Sequence, residues 1–131
     1  MNLYRINFAH YAPKDREDGI KCLLLAENDE AVYNYVRKLA YWEDYEEVTY
    51  VAEEEEFLDG DDEIIEGWYD KQGNPEDFKT RMIRLRGQIN DDEHEVSDLY
   101  YGTIIYGWEL VVENTKVDYS ELIAAGIVVK Q

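Results

Sequence analysis

Two apolar runs near the start of the chain are separated by a polar segment. Residues 3–12 and 20–27 are rich in Tyr, Ile, Leu and Phe, whereas residues 13–19 are mostly polar and have Pro13 and Gly19 at their ends. Pro and Gly mark turns, and short runs of aromatic and aliphatic residues favour strands. The pattern predicts a β-hairpin with a long turn.

More strands are predicted further along the chain. Residues 99–112 give the longest β signal, because the side chains at 104, 106, 108, 110 and 112 share one face by alternation, and we expect a central strand there. Residues 48–51 predict a shorter strand that continues through the four acids at 53–56. Residues 59–62 predict a turn, residues 64–69 another short strand, and residues 127–129 a last strand.

Apolar residues recur at helical spacing in three places. The first helix is predicted from about Asp29 to Tyr41. Asn74 and Pro75 predict the cap and first position of a second helix, which Gly87 is placed to end. Residues 118–126 predict a short third helix. Together these elements predict a single α+β domain over residues 1–131, with a mostly antiparallel sheet of about four to six strands packed against two or three short helices.

The distribution of charge changes this picture. The chain of 131 residues carries 31 acidic and 13 basic side chains, a net charge of -18. Residues 43–70 contain fourteen acids and no Lys or Arg, whereas residues 1–42 balance at zero. A charge that served only solubility would be spread over the surface, so this local block favours a directed electrostatic partner.

The spacing of the acids indicates what that partner could be. Where half the residues of a helix or strand are acidic, carboxylates recur every roughly 3 to 7 Å, using rises of about 1.5 and 3.3 Å per residue. Phosphates on a DNA strand are about 3.4 Å apart. We therefore expect DNA mimicry, in which the acids bind the basic groove of a host nucleic-acid-binding protein or defence nuclease. The predicted contact residues are Glu43, Asp44, Glu46, Glu47, Glu53, Glu54, Glu55, Glu56, Asp59, Asp61, Asp62, Glu63, Asp91, Asp92 and Glu93.

Two other hypotheses stay open. In the first, a pocket of aromatic residues and arginines sequesters a nucleotide signal, at an interface of a homo-oligomer. Its candidate residues are Arg81, Arg84, Arg86, Tyr101, Tyr106 and Trp108. In the second, the protein has a purely structural or interaction role, and the acidic block is only a solvated face.

No motif for catalysis is found, so we expect a non-enzyme without cofactor or metal. His10 and His94 lack the spacing of zinc ligands, and the EF-hand pattern fails because residue 64 is Ile where Gly is required. The single cysteine, Cys22, lies in an apolar run. With no apolar run of transmembrane length and no signal-like N-terminus, we expect a cytoplasmic protein. Its acidity disfavours direct contact with nucleic acid or anionic membranes.

In its small size, high acidity and cysteine-poor α+β pattern, the whole chain resembles the small accessory proteins of bacteriophages and mobile elements. Anti-CRISPR and DNA-mimicking antirestriction proteins belong to that class. The resemblance implies an anti-defence inhibitor that works in the host bacterial cytoplasm. It rests on size and composition and transfers no residue roles.

Overall fold

The computed structural model describes residues 1–11, 16–39, 48–65, 67–87 and 104–131. In this part of the chain, short helices alternate with strands that pair mostly antiparallel, which confirms the predicted α+β class. The elements are β1 (Asn2–Tyr11), β2 (Arg16–Ala26), α1 (Asp29–Val36), β3 (Thr49–Val51), β4 (Glu56–Leu58), β5 (Ile64–Ile65), β6 (Trp68–Tyr69), β7 (Pro75–Glu76), α2 (Phe78–Leu85), β8 (Ile104–Val112), α3 (Ser120–Ala124) and β9 (Val128–Lys130).

The largest sheet has the strand order β8-β1-β2-β9. Strands β1 and β2 form the predicted hairpin, and β9 adds to β2 in parallel. The long turn predicted at 13–19 is wrong for 16–19, because β2 begins at Arg16 and these residues pair with β1. The strand predicted to be central, β8, lies at one edge of this sheet instead. Its outer side meets the end of α2, where the backbone N–H of Trp108 donates to the carbonyl of Arg86 at 2.9 Å. Strong apolar alternation therefore reflects burial of one face by helices, not a central position in the sheet.

Apolar side chains cover both faces of this sheet because successive residues of a strand point to opposite sides. Tyr4 and Ile6 lie on one face and belong to the main core cluster, which also contains Trp108 and residues of α1 and α2. Leu3 and Leu25 lie on the other face and pack with Val128 near α3. The helices and the strands therefore share one main core and one smaller one.

Residues 48–76 form two small sheets that differ from the prediction. Strands β3, β4 and β5 make a three-stranded meander, and β6 and β7 make a hairpin. The expected strand through residues 53–56 is wrong for 53–55, which form the turn between β3 and β4. The expected single strand at 64–69 is divided between the two small sheets, with Gly67 between them. Glu55 has left-handed backbone, at φ 54°, which a β-strand does not use.

The start of α2 also differs from the prediction. Its cap is Asp77, whose side chain accepts a hydrogen bond from the backbone N–H of Thr80 at 2.7 Å. Pro75, expected at the first helical position, pairs with Tyr69 in β7. The fixed φ of proline also suits an edge strand, and the following aspartate is a strong cap. Helix α1 ends at Val36, before the predicted end at Tyr41, which lies outside the described residues.

Candidate partner-binding surface

The acidic residues of the meander lie in its two turns, one at each end of β4. The first turn holds Glu53, Glu54 and Glu55 between β3 and β4, and the second, Asp59 to Glu63, joins β4 to β5. Three residue steps of about 3.3 Å in β4 place the backbones of Glu56 and Asp59 about 10 Å apart. The meander thus carries two separate negative turns rather than a continuous acidic ladder.

The second acidic turn is held closed by its first residue. One carboxylate oxygen of Asp59 accepts hydrogen bonds from the backbone N–H groups of Asp61 at 2.9 Å and Glu63 at 3.0 Å. The N–H of Asp59 donates to the carbonyl of Glu63 at 2.9 Å, and the N–H of Asp62 donates to the carbonyl of Asp59 at 3.1 Å. These four bonds fix the turn without any partner from another element.

The turn between β6 and β7 repeats the same bonds. Asp70 accepts from the backbone N–H groups of Gln72 and Asn74, each at 2.9 Å, and its own N–H donates to the carbonyl of Asn74 at 2.8 Å. The N–H of Gly73 donates to the carbonyl of Asp70 at 3.0 Å. The hydrogen bonds to its carboxylate, chiefly that from Asn74, together with nearby Arg84, lower the pKa of Asp70. Two successive hairpins therefore use one five-residue turn.

These two turns differ in charge. Residues 59–63 contain four acids and no base, whereas residues 70–74 contain one acid and one lysine. The fourth position is left-handed in both, with Asp62 at φ 59° in the acidic turn and Gly73 at φ 83° in the neutral turn. Left-handed backbone suits glycine best, so closure of the turn does not require the acid at 62. Glu55, in the first acidic turn, is also left-handed, at φ 54°.

A group of aromatic rings supports the meander from its inner side. Phe57 is buried and packs against Tyr50 at 4.9 Å, Trp68 at 6.3 Å and Tyr69 at 5.7 Å between ring centroids. Its ring lies directly over Gly67, where an added Cβ would be 2.0 Å from a ring carbon. Of these aromatic residues, Phe57 and Trp68 are core residues, and Tyr69 is about half exposed, at 49%.

The acidic turns differ from the rest of the described surface in how their charges are paired. Within the described residues, the acids at 53–56 and 59–63 form no salt bridge. Arg5, Lys79, Arg84 and Arg86 pair with acids elsewhere. Arg84 pairs with the buried Glu76, its Nε lying 2.9 Å from a carboxylate oxygen. The negative charge of the turns is consequently not compensated by this part of the chain.

The residues predicted to form a ligand pocket are divided between the surface and the core. Asp29 accepts hydrogen bonds from Arg86 Nε at 2.9 Å and from the indole N–H of Trp108 at 2.8 Å. The hydrogen bond that Arg86 donates to the Asp29 carboxylate raises the pKa of Arg86. An open cleft of about 670 Å³ runs past Arg84 and Arg86. Trp108 is 0% exposed and Tyr106 is buried, so neither ring offers a face for stacking. A phosphate in the cleft would have to compete with carboxylates already bound to both arginines.

The predicted contact residues are only partly described. Of the predicted acids, those at 53–56, 59 and 61–63 are described, and they lie in the meander. The remaining candidates lie outside the described residues: Glu43, Asp44, Glu46, Glu47, Asp91, Asp92, Glu93 and Tyr101. The repeated turn was missed from the sequence. The available signal was an aspartate five residues before the first residue of the next strand, in both turns. It was hidden because glycine stands at different positions in the two turns.

The described residues contain neither a metal-ligand cluster nor a helix that could span a membrane. No group of three or more His, Cys, Asp or Glu side chains there is arranged to hold a metal ion. None of the helices in the described ranges has both the length and the apolar character needed to cross a membrane.

Comparison with known proteins gives one curated relative. The chain is 38% identical over 123 residues to the SPbeta prophage-derived uncharacterized protein YoqY of Bacillus subtilis (strain 168), and the match covers 94% of this chain and 92% of the relative. No protein-family model matches the chain. No solved structure matches it.

Proposed function

Because the chain belongs to the family of the prophage-derived protein YoqY, we propose that it is a phage accessory protein that inhibits a host nucleic-acid-binding protein. It acts without catalysis, by presenting the acidic meander to the basic groove that otherwise holds DNA or RNA. The prophage origin of the relative supports the setting. The chemistry of the meander supports the mode of action.

One observation carries this proposal: the acidic turn at 59–63 has a neutral twin at 70–74 with the same hydrogen bonds. The twin demonstrates that this backbone closes without Asp61, Asp62 or Glu63. Grouping like charges in a turn raises the electrostatic free energy of the folded chain. Acids that the fold does not need, and that have no described cationic partner, favour a role in binding.

The pair of turns also supplies a matched experiment. Exchanging the last four residues of each turn puts Lys, Gln, Gly and Asn at 60–63, and Gly, Asp, Asp and Glu at 71–74. The composition and the net charge of -18 are unchanged. The exchange moves the acids of the second acidic turn into the neutral turn. Each four-residue sequence replaces another one in a turn that is closed by the same hydrogen bonds. Circular dichroism and urea unfolding should show a folded chain.

Binding is measured by capture from a Bacillus subtilis lysate, with the immobilised wild-type chain and the exchange variant compared at several salt concentrations. Wild type should retain a basic nucleic-acid-binding protein that duplex DNA or RNA displaces. Retention should weaken as salt rises, because the Debye length falls from about 10 Å at 0.1 M to about 3 Å at 1 M. The exchange variant should lose that protein. Equal retention by both chains would show that binding does not depend on where in the chain these acids lie, and it would overturn the proposal.

A further inference from the structure

The meander has an outer face as well as two acidic ends. Residues that pair across neighbouring strands point to the same side of a sheet, so Leu58 lies beside Ile64, to which it is paired. Val51 lies on that side too, two residues after Thr49, which pairs with Leu58. The opposite side carries Phe57, which is in the core. The outer face therefore carries an apolar strip of Val51, Leu58 and Ile64 between two negative turns, together with Thr49 and Glu56, which point to the same side.

This strip is accessible at its far edge. Ile64 is 67% exposed, the highest value among the large apolar side chains whose exposure the structure describes. Leu58 and Val51 are partly exposed. Isolated exposed aliphatic residues are ordinary, but an apolar centre bordered by charged residues is the usual composition of a protein interface.

The charges at the two ends determine which occupant fits. Anionic membranes and nucleic acids would be repelled by the acids at 53–55 and 61–63. A second copy of this chain, related by a two-fold axis, would bring the same acidic turns against each other. A cationic protein surface is attracted by both acidic turns. Its binding breaks no salt bridge there, because the acids of these turns form none within the described residues.

We propose that Val51, Leu58 and Ile64 form the docking contact for a basic nucleic-acid-binding protein, which places an apolar side chain on the strip and cations against the two acidic turns. This inference rests on the proposed function and adds an apolar contact to it. Charge speeds the encounter, and the apolar contact slows dissociation. Binding should accordingly retain a component that persists at high salt.

The test compares two isoleucines of similar exposure. Ile64→Gln removes the apolar contact, and Ile20→Gln, at a residue 62% exposed on β2, is the matched control. The probe is the protein that wild type retains and the exchange variant does not, identified by mass spectrometry and purified. Its dissociation constant for each chain is measured by calorimetry at 0.05 M and 0.5 M salt.

Ile64→Gln should weaken binding about tenfold at both salt concentrations, because the exposed two-thirds of the Ile64 side chain is buried against the partner in wild type. Ile20→Gln should bind like wild type. Unchanged binding by Ile64→Gln, with binding lost in the exchange variant, overturns the apolar contact and leaves the proposed function intact. If wild type retains no basic protein at all, both proposals fail. A wild-type dimer that dissociates on Ile64→Gln substitution would make a second copy the occupant and also overturn the inference.

Discussion

Gly67 is the position where one added methyl group should do most harm to the candidate surface. An alanine Cβ there would lie 2.0 to 2.2 Å from three carbons of the Phe57 ring. Carbon atoms pack at about 3.5 Å or more, so the ring has to move by roughly 1.5 Å. Phe57 is almost fully buried, and its neighbours Tyr50, Trp68 and Tyr69 surround it.

The expected cost follows from these contacts. Overpacking a filled core costs about 1 to 3 kcal/mol, and each aromatic contact that the ring loses adds about 0.5 to 1.5 kcal/mol. We expect Gly67→Ala to lower the free energy of unfolding by about 3 kcal/mol. For a chain of this size, such a loss lowers the Tm by about 10 °C. The backbone at Gly67 is not left-handed, so the effect is steric.

Urea unfolding followed by tryptophan fluorescence measures this loss as a shift of the midpoint. Phe57→Leu in the Gly67→Ala background should cost less than Phe57→Leu alone, because the smaller side chain leaves room for the methyl group. Gly73→Ala is the contrasting control, since nothing lies within 4 Å of its added Cβ and only its left-handed φ matters. It should cost about 1 kcal/mol. A loss below about 0.5 kcal/mol for Gly67→Ala, or no coupling to Phe57, would refute the packing argument.

Three further predictions follow from other contacts. Asp29→Asn should destabilise the fold by about 1 to 2 kcal/mol, because charge-assisted bonds from Arg86 and Trp108 are weakened; thermal melts without a measurable change would contradict this. The lowered pKa of Asp70 means that its carboxylate stabilises the fold fully above the ordinary value of 3.8, and that this stabilisation is lost as the pH falls through the lower folded value. The stability advantage of wild type over Asp70→Asn should therefore shrink in acid, and an advantage independent of pH would count against it. Burial raises the pKa of the Cys22 thiol, so iodoacetamide at pH 8 should react with it more slowly in the folded chain than in urea; equal rates would exclude the buried setting.

The sequence predicted the elements whose signals are local. The apolar runs at 3–12 and 20–27 predicted the hairpin. Gly87 was predicted to end α2, and the helix ends just before it, with left-handed backbone at Gly87 and also at Arg86. Alternation predicted β8 but not its place in the sheet, since the periodicity reports which face is buried and not which strands are neighbours. The outer side of β8 meets α2 instead of another described strand, through the hydrogen bond that the backbone N–H of Trp108 donates to the carbonyl of Arg86, 22 residues earlier in the chain.

For the site, the sequence located the charge but not its arrangement. Counting residues identified the acidic block, yet the expected strand of four acids is a turn at 53–55. The pairing of Arg84 with Glu76, and of Arg86 with Asp29, could not be predicted either, because these contacts depend on how helices and hairpins pack. Trp108 was offered as a stacking residue, and its burial reflects the same long-range packing.

The turn that closes itself has a consequence for how such a protein can change over time. Asp59 and the left-handed position at 62 carry the closure, and the neutral twin at 70–74 tolerates quite different side chains in between. Substitutions at 60, 61 and 63 can therefore change the side chains on the surface of the turn while its backbone hydrogen bonds stay the same. Under the proposed function, a phage whose host altered the bound protein would be able to follow by point mutation at these three positions, without first having to restore a damaged fold.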